Sequence, residues 1–266
     1  MDRFCIVANE IKDPGYRMAE EVRGFLESQG KECVIDKSVP EGTDCILVLG
    51  GDGTVLQAAR RLHGRKIPIL GINLGTLGYL TEAEIGSWRE AVLLLLSGNY
   101  TIEDRMMLEG GREGEKTDYA LNDVVIARTN GVRMFNYEVW VNGAFLNNFS
   151  ADGIIISTPT GSTAYNLSAG GPIVEPGARL ILLTPICPHT LNTRSIVLSP
   201  EDEIEVRIGK AKDGVEMEAE ASFDGNTSVI LKSGEKVLIR RSERVTGLVK
   251  LSRRSFLETL HRKMQE

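Results

Sequence analysis

Cys45-Ile46-Leu47-Val48-Leu49 is an unbroken apolar run, and Gly50-Gly51-Asp52-Gly53-Thr54 follows it directly. Few folds accommodate that junction: a strand must stop in a glycine turn, and a helix must begin close behind it. Three glycines let the main chain take positive φ and approach a ligand closely, and a helix starting near Thr54 aims free N–H groups at an anion. Asp52 is the odd residue. A carboxylate beside phosphates costs electrostatic energy unless a metal, a proton transfer or a hydrogen bond to a sugar hydroxyl offsets it. The same spelling is also a common tight turn, in which Asp and Gly supply geometry alone. No Gly-Lys-Ser/Thr follows, so this is not a Walker A loop, and the third glycine of the dinucleotide fingerprint is missing.

The surrounding hundred residues alternate apolar runs with helical patterns. Strands are expected at Phe4 to Ala8, Glu32 to Ile35, Asp44 to Leu49 and Ile67 to Ile72, with helices near Arg17 to Gln29, from about Val55, and near Ser87 to Ser97. In the first helix Met18, Val22, Phe25 and Leu26 fall on one face at three- and four-residue spacing. This pattern predicts an α/β domain with a parallel sheet, whose ligands collect outside the carboxyl ends of the strands, where Gly50 to Thr54 falls. From about Asn99 the texture changes to strand-like runs at Tyr119 to Ala127, Val132 to Val141, Ile154 to Ser157, Leu180 to Leu183, Glu203 to Ile208, Thr227 to Leu231 and Lys236 to Arg240. Asn142-Gly143 and Asp224-Gly225 are hairpin signals, so this half is expected to be antiparallel and β-rich. Ser255 and Glu258 form a capping-box pattern for a last helix at Ser255 to Gln265, in which Leu257, Leu260 and Met264 share a face and return to the first domain. The expected division is 1–98 with 250–266, an α/β domain, and 99–249, a β-rich one.

A formal net charge of −6 over 266 residues argues against a nucleic-acid surface, so a phosphate ligand must be held locally. No apolar stretch approaches the roughly 18 residues of a membrane span, and the first residues show no basic-then-apolar leader, so a cytoplasmic location with no membrane partner is expected. Cys5, Cys33, Cys45 and Cys187 lie far apart without a Cys-x-x-Cys pair and read as reduced core residues rather than metal ligands. His63, His189 and His261 have no metal-ligand partner at helical spacing.

Further polar clusters interrupt the apolar runs. Asp152-Gly153 precedes Ile154-Ile155-Ile156, and then comes Ser157-Thr158-Pro159-Thr160-Gly161-Ser162-Thr163-Ala164-Tyr165-Asn166-Leu167-Ser168-Ala169-Gly170-Gly171-Pro172. A short helix opening near Gly161 to Thr163 would expose backbone donors, with Tyr165 available to stack on a base and Thr163 and Ser168 to hydrogen bond; a capped, Ser/Thr-rich connection is the structural alternative. Asn122-Asp123 breaks an apolar strand, either as a turn or bulge or as a pair that grips ribose hydroxyls. Tyr79 closes the loop Asn73-Leu74-Gly75-Thr76-Leu77-Gly78-Tyr79, where it flanks a base or packs.

Taken in order and spacing, Gly50 to Thr54, Asn73 to Leu80, Asn122-Asp123 and Ser157 to Pro172 resemble the NAD kinase family over nearly the whole chain. The Gly-Gly-Asp-Gly-Thr element is shared with phosphofructokinases and diacylglycerol-type lipid kinases, whereas Thr158 to Tyr165 is far more specific. The resemblance implies Mg²⁺-dependent transfer of the ATP γ-phosphate to the 2′-hydroxyl of the adenosine ribose of NAD⁺, giving NADP⁺, in a cleft between an α/β and a β-rich domain. It implies Asp52 as general base, Gly50, Gly51, Gly53 and Thr54 on the ATP phosphates, and Mg²⁺ or another divalent cation on the transferred group. For NAD it implies Asp52, Gly53, Tyr79, Asn122, Asp123, Asp152, Thr163, Ala164, Tyr165 and Ser168, with Arg133 and Asn226 as weaker carry-overs. Ser150 departs from relatives that carry a basic residue there, and Asn226 stands where Gln is common. The family also implies a homo-oligomer, a homodimer or homotetramer, with active sites that borrow residues across the interface. The competing readings are a non-enzymatic NAD(P) sensor, which needs no base at Asp52, and a sugar-phosphate or lipid kinase with the same glycine loop.

Overall fold

The computed structural model describes residues 1–75, 78–129, 135–189, 194–210, 214–251 and 255–265. The chain divides into two compact units, Met1–Arg105 with Val245–Glu266, and Met106–Arg244.

The first unit runs β1 (Arg3–Ala8), α1 (Arg17–Ser28), β2 (Glu32–Ile35), β3 (Cys45–Gly50), α2 (Asp52–Arg61), β4 (Ile69–Asn73), a short β5 (Ala83–Glu84) and α3 (Trp88–Leu96). Its strands pair parallel throughout: β2 on β1, β1 on β3, β3 on β4, and β4 on β5. All six residues of β3 are buried, as expected of a parallel strand covered on both faces. Phe4, Ile6, Ala8, Leu47 and Leu49 point into the core shared with α1 and α3, while the alternate residues Cys5, Val7, Ile46 and Val48 are buried on the other face. Helix α1 contributes Ala19, Val22 and Leu26 to this core. Chain order in the sheet reverses between β1 and β3, which makes their carboxyl ends a topological switch point.

The second unit is built from β6 (Thr101–Arg112, which begins in the first unit), β7 (Asp118–Ala120), β8 (Asp123–Arg128), β9 (Phe135–Val141), β10 (Ala144–Ala151), β11 (Gly153–Ser157), α4 (Tyr165–Ser168), β12 (Ile181–Ile186), β13 (Ile196–Leu198), β14 (Ile204–Ile208), β15 (Glu218–Phe223), β16 (Thr227–Lys232) and the first part of β17 (Lys236–Lys250). One antiparallel set runs β10-β9-β14-β17, the other β13-β12-β11-β8-β15-β16. Val124, Ile126, Ile154 and Ile156 from one set and Tyr137, Val139, Ile204 and Val206 from the other form a shared core, so the unit is a β-sandwich. Both foreseen hairpins are present with two left-handed residues each, Asn142 (φ 51) with Gly143 (φ 77) and Asp224 (φ 49) with Gly225 (φ 66). The end of β17 returns to the first unit, where Leu248 pairs parallel with Ile69 of β4, and α5 (Phe256–Lys263) follows with its Ser255–Glu258 capping box formed.

The fold class is thus an N-terminal α/β unit with a parallel sheet and an antiparallel β-rich second unit. Several details differ from expectation. Helix α2 starts at Asp52, not near Val55, because Gly51 in extended conformation serves as N-cap and puts the carboxylate in the first turn. Strands β6, β10, β13 and β15 are not among the expected runs; in β10 Ala144 to Asn148 is exposed, and the inward residues of β15 include alanines rather than branched side chains. Leu257 and Met264 of α5 are 69% and 75% exposed, so the helix is not seated by its apolar stripe; it touches the first unit through Phe256 against Tyr79 and Arg262 near Glu84. Cys187 is exposed rather than a core residue, while Cys5 and Cys45 are buried, Cys33 is half-buried, and all four are free thiols.

Candidate active site

In the first unit the glycine turn is fixed from three sides. Asn73, ending β4 and fully buried, donates its amide to the Gly75 carbonyl at 2.6 Å and accepts from Gly75 N–H at 3.2 Å, which shapes the second glycine loop. That loop returns to α2: the Asp52 carboxylate accepts Tyr79 N–H at 2.8 Å and Leu80 N–H at 3.0 Å, one on each oxygen. A carboxylate so held cannot rotate, yet each oxygen keeps a lone pair for another donor. Gly78 is obligatory for this contact, since a Cβ there would overlap the Asp52 carboxyl group. Gly50 has the same role one turn earlier, where a Cβ would overlap the Thr54 side chain. Thr54 itself is buried, and its hydroxyl receives Asn9 Nδ2 from the end of β1 at 3.4 Å. Gly53 is exposed with open space on its Cβ side, so only a ligand would require its smallness. The Tyr79 ring lies 6.2 Å from Phe256 and under the Lys263 ammonium.

The second unit gathers its own cluster. Asn122-Asp123 forms the step between β7 and β8, as its polar break in an apolar run allows. The Asp224 carboxylate, at the β15–β16 hairpin, accepts N–H groups from Leu121 (2.8 Å), Asn122 (2.8 Å) and Asp123 (3.2 Å), and Asn226 caps the Asp224 carbonyl at 2.9 Å. On the other side Thr158 N–H and the Ser157 hydroxyl both donate to the Asn122 carbonyl, and Thr158 Oγ1 donates to Leu121 O at 2.6 Å. Gly161 packs so tightly on Asn122 that a Cβ would strike its carbonyl. Burial, followed by the neighbouring Asp224 charge, pushes the Asp123 carboxyl up to about 7.

The hydroxyl-rich run divides by direction. Ser162 exchanges hydrogen bonds with Val174, and Asn166 binds Ser162 O, Pro172 O and the Thr184 hydroxyl, all inside the unit. Thr163 and Ala164 are half-buried, and Tyr165 and Ser168 are exposed, on the short turns Thr160–Thr163 and Tyr165–Ser168. Tyr165, 45% exposed, keeps a ring face available for stacking.

Asn122, Asp123 and Asn226 are therefore joined through Asp224, and the Thr163 to Ser168 segment follows directly on the Gly161 turn that packs against Asn122, while Asp152 lies apart. Strands β11 and β8 pair so that Ser157 faces Asp123 and Gly153 faces Ala127. Asp152 consequently lies at the far end of that pair, about 16 Å along the strand from Ser157 at roughly 3.3 Å per residue, and its carboxylate binds Arg128 at 2.9 Å. Arg133 lies outside the described residues. Nothing local in the sequence singles out Asn73, Gly78 or Asp224. Asn73 carries a faint signal, a polar residue closing an apolar run; Asp224 reads only as a hairpin residue, and its reach to a segment about a hundred residues earlier leaves no local trace.

The sequence profile of the ATP-NAD kinase N-terminal domain matches residues 31–100, and that of the ATP-NAD kinase C-terminal domain matches residues 121–251. Among curated proteins, the NAD kinase of Lachnospira eligens is 44% identical, with 99% of this chain and all of that protein aligned. The NAD kinase of Desulforamulus reducens is 42% identical over 100% and 98% of the two chains. Among solved structures, an NAD kinase from Archaeoglobus fulgidus in complex with ATP superimposes with a TM-score of 0.83 at 27% identity, covering 99% of this chain and 98% of that one. Yeast NADH kinase complexed with NADH, at 24% identity and a TM-score of 0.89 over 100% and 88% of the chains, shares the fold.

Proposed function

Since the chain belongs to the NAD kinase family, we propose that Asp52 is the base of its reaction. The protein is an NAD kinase: the γ-phosphate of ATP passes to the 2′-hydroxyl of the adenosine ribose of NAD⁺, giving NADP⁺ and ADP. A ribose hydroxyl is a weak nucleophile. Asp52 accepts its proton as the oxygen–phosphorus bond forms and the bridging bond to the β-phosphate breaks, its electrons leaving with ADP. The observation that carries this role is the clamp on Asp52, whose oxygens are fixed by Tyr79 and Leu80 N–H while a lone pair on each stays free.

Gly50, Gly51, Gly53 and Thr54 hold the ATP phosphates, supported by their position at the start of α2, where the helix N-terminus favours negative charge. Asn122, Asp123, Thr163, Ala164, Tyr165, Ser168 and Asn226 hold the dinucleotide in the second unit, supported by the hydrogen bonds that fix Asn122 and Asp123 on Asp224 and by the packing of the Gly161 turn on Asn122; Tyr79 is a further dinucleotide contact, in the first unit. Magnesium or another divalent cation would come with the triphosphate as part of the donor substrate and would neutralise charge on the transferred group. Among the described residues no three His, Cys, Asp or Glu side chains gather to hold a cation on protein alone.

The separation of Asp152 from Asp123 supports a homo-oligomer, a homodimer or homotetramer, in which Asp152 serves the site of a second copy. Phe145 and Leu146, exposed on the edge strand β10, support the same reading. No described helix is long and apolar enough to cross a membrane, and four free thiols suit a reducing cytoplasm.

The test is turnover with ATP, Mg²⁺ and NAD⁺, product identified by mass, for the wild type and Asp52→Asn. Loss of about 10²- to 10⁴-fold in turnover with NAD⁺ binding retained is expected. Asn would turn an N–H toward the Tyr79 or Leu80 amide, so melting temperature is followed alongside. Wild-type protein that binds NAD⁺ and forms no NADP⁺ would instead be a sensor.

A further inference from the structure

We infer that Lys12 is a phosphate-binding residue of the donor site, a cation that the glycine turn itself lacks. The inference rests on the reading of Gly50 to Thr54 as the ATP phosphate loop. Lys12 lies in the loop after β1, and the glycine turn lies after β3, so the two face each other across the switch point of the parallel sheet. Its ammonium is 3.3 Å from where a Cβ on Gly51 would stand and 3.2 Å from where one on Gly75 would stand. Both glycine loops thus open toward the same Nζ.

The loop that carries Lys12 is built to hold it there. Asn9 N–H donates to Leu49 O at 2.9 Å, tying the loop to the end of β3. The Asn9 side chain accepts Ile11 N–H at 3.0 Å and Lys12 N–H at 3.2 Å, while its amide reaches Thr54 Oγ1. Asp13, buried, closes the loop by accepting Met18 and Ala19 N–H at the start of α1. Lys12 itself is exposed, and among the described residues its ammonium has no carboxylate partner. The nearby Glu10 is engaged by Lys37 at 3.5 Å and by the Tyr16 hydroxyl at 3.4 Å. An ammonium left unpaired by the protein over a cradle of glycine backbone matches a triphosphate, to which lysine binds as a point charge.

Lys12→Gln, Lys12→Arg and Gly53→Ala, each as purified full-length protein, test this through separate KM values for MgATP and NAD⁺ and through calorimetric binding of magnesium tripolyphosphate. Lys12→Gln is expected to raise the MgATP KM about 10- to 100-fold, the worth of one hydrogen bond to a charged group. The NAD⁺ KM should stay within about twofold and the melting temperature unchanged, as for a surface substitution. Tripolyphosphate affinity should fall with the ATP effect, and Lys12→Arg should recover most of both. Gly53→Ala meets no protein atom, so it reports on ligand approach to the turn alone. If Gly53→Ala raises the MgATP KM and Lys12→Gln does not, the Lys12 assignment is wrong and the loop reading survives. If neither changes it, both are wrong. Equal increases in the two KM values for Lys12→Gln would also overturn the assignment, because a general structural effect would then suffice.

Discussion

Asp123 is a buried acid whose neighbour is another acid, and its titration follows from that placement. Burial and the Asp224 charge raise its folded-state value to about 7, above the ordinary 3.8. The native state therefore binds a proton between about pH 4 and 7 that the unfolded chain has released. Stability from this group is present below about pH 4, falls as pH rises, and is gone above about 7. Asp123→Asn should flatten the stability profile over that interval, measured by chemical denaturation at stepped pH; an unchanged slope would mean the carboxyl is not titrating there. Asp52 differs in kind. Its oxygens already accept two backbone N–H groups, which fixes direction, the property a base needs most toward a hydroxyl that must meet phosphorus in line.

At the scale of elements, glycine contacts decide geometry that no side chain could. Gly78→Ala would drive a methyl group into the Asp52 carboxyl, and Gly161→Ala would drive one into the Asn122 carbonyl. Gly78→Ala is expected to lower kcat at least about tenfold by tilting the base, with modest loss of thermal stability. Gly161→Ala should instead raise the NAD⁺ KM and cost about 1–3 kcal/mol of folding stability, as overpacking does. Steady-state kinetics beside thermal melts separate the two; matching profiles would refute the division of labour. Strand and helix order in the first unit was legible because buried parallel strands and amphipathic helices have plain periodicities. The hydroxyl run was legible as a cluster but not by role: Ser162 and Asn166 turn inward while Tyr165 and Ser168 face out, a sorting made by tertiary hydrogen bonds. Helix α2 starts three residues before the expected Val55 because an extended glycine N-cap has no side chain to announce it.

For the whole molecule, the separation of Asp152 from Asp123 makes subunit count a matter of chemistry. Sedimentation should find a dimer or tetramer, and Phe145→Asp should shift it toward monomer with activity lost in parallel; a fully active monomer would remove Asp152 from the site. The pairing of Leu248 with Ile69 also bears on how the chain comes off the ribosome. The first unit is the earliest made, yet its sheet lacks a strand until all of Met106–Arg244 has been synthesised. At about 5–20 residues per second, the Ile69 end of β4 waits roughly 10 to 40 seconds for its neighbour. During that interval the nascent sheet keeps an unsatisfied apolar edge, so the second unit, whose strands all arrive within one continuous stretch, is the one able to fold first.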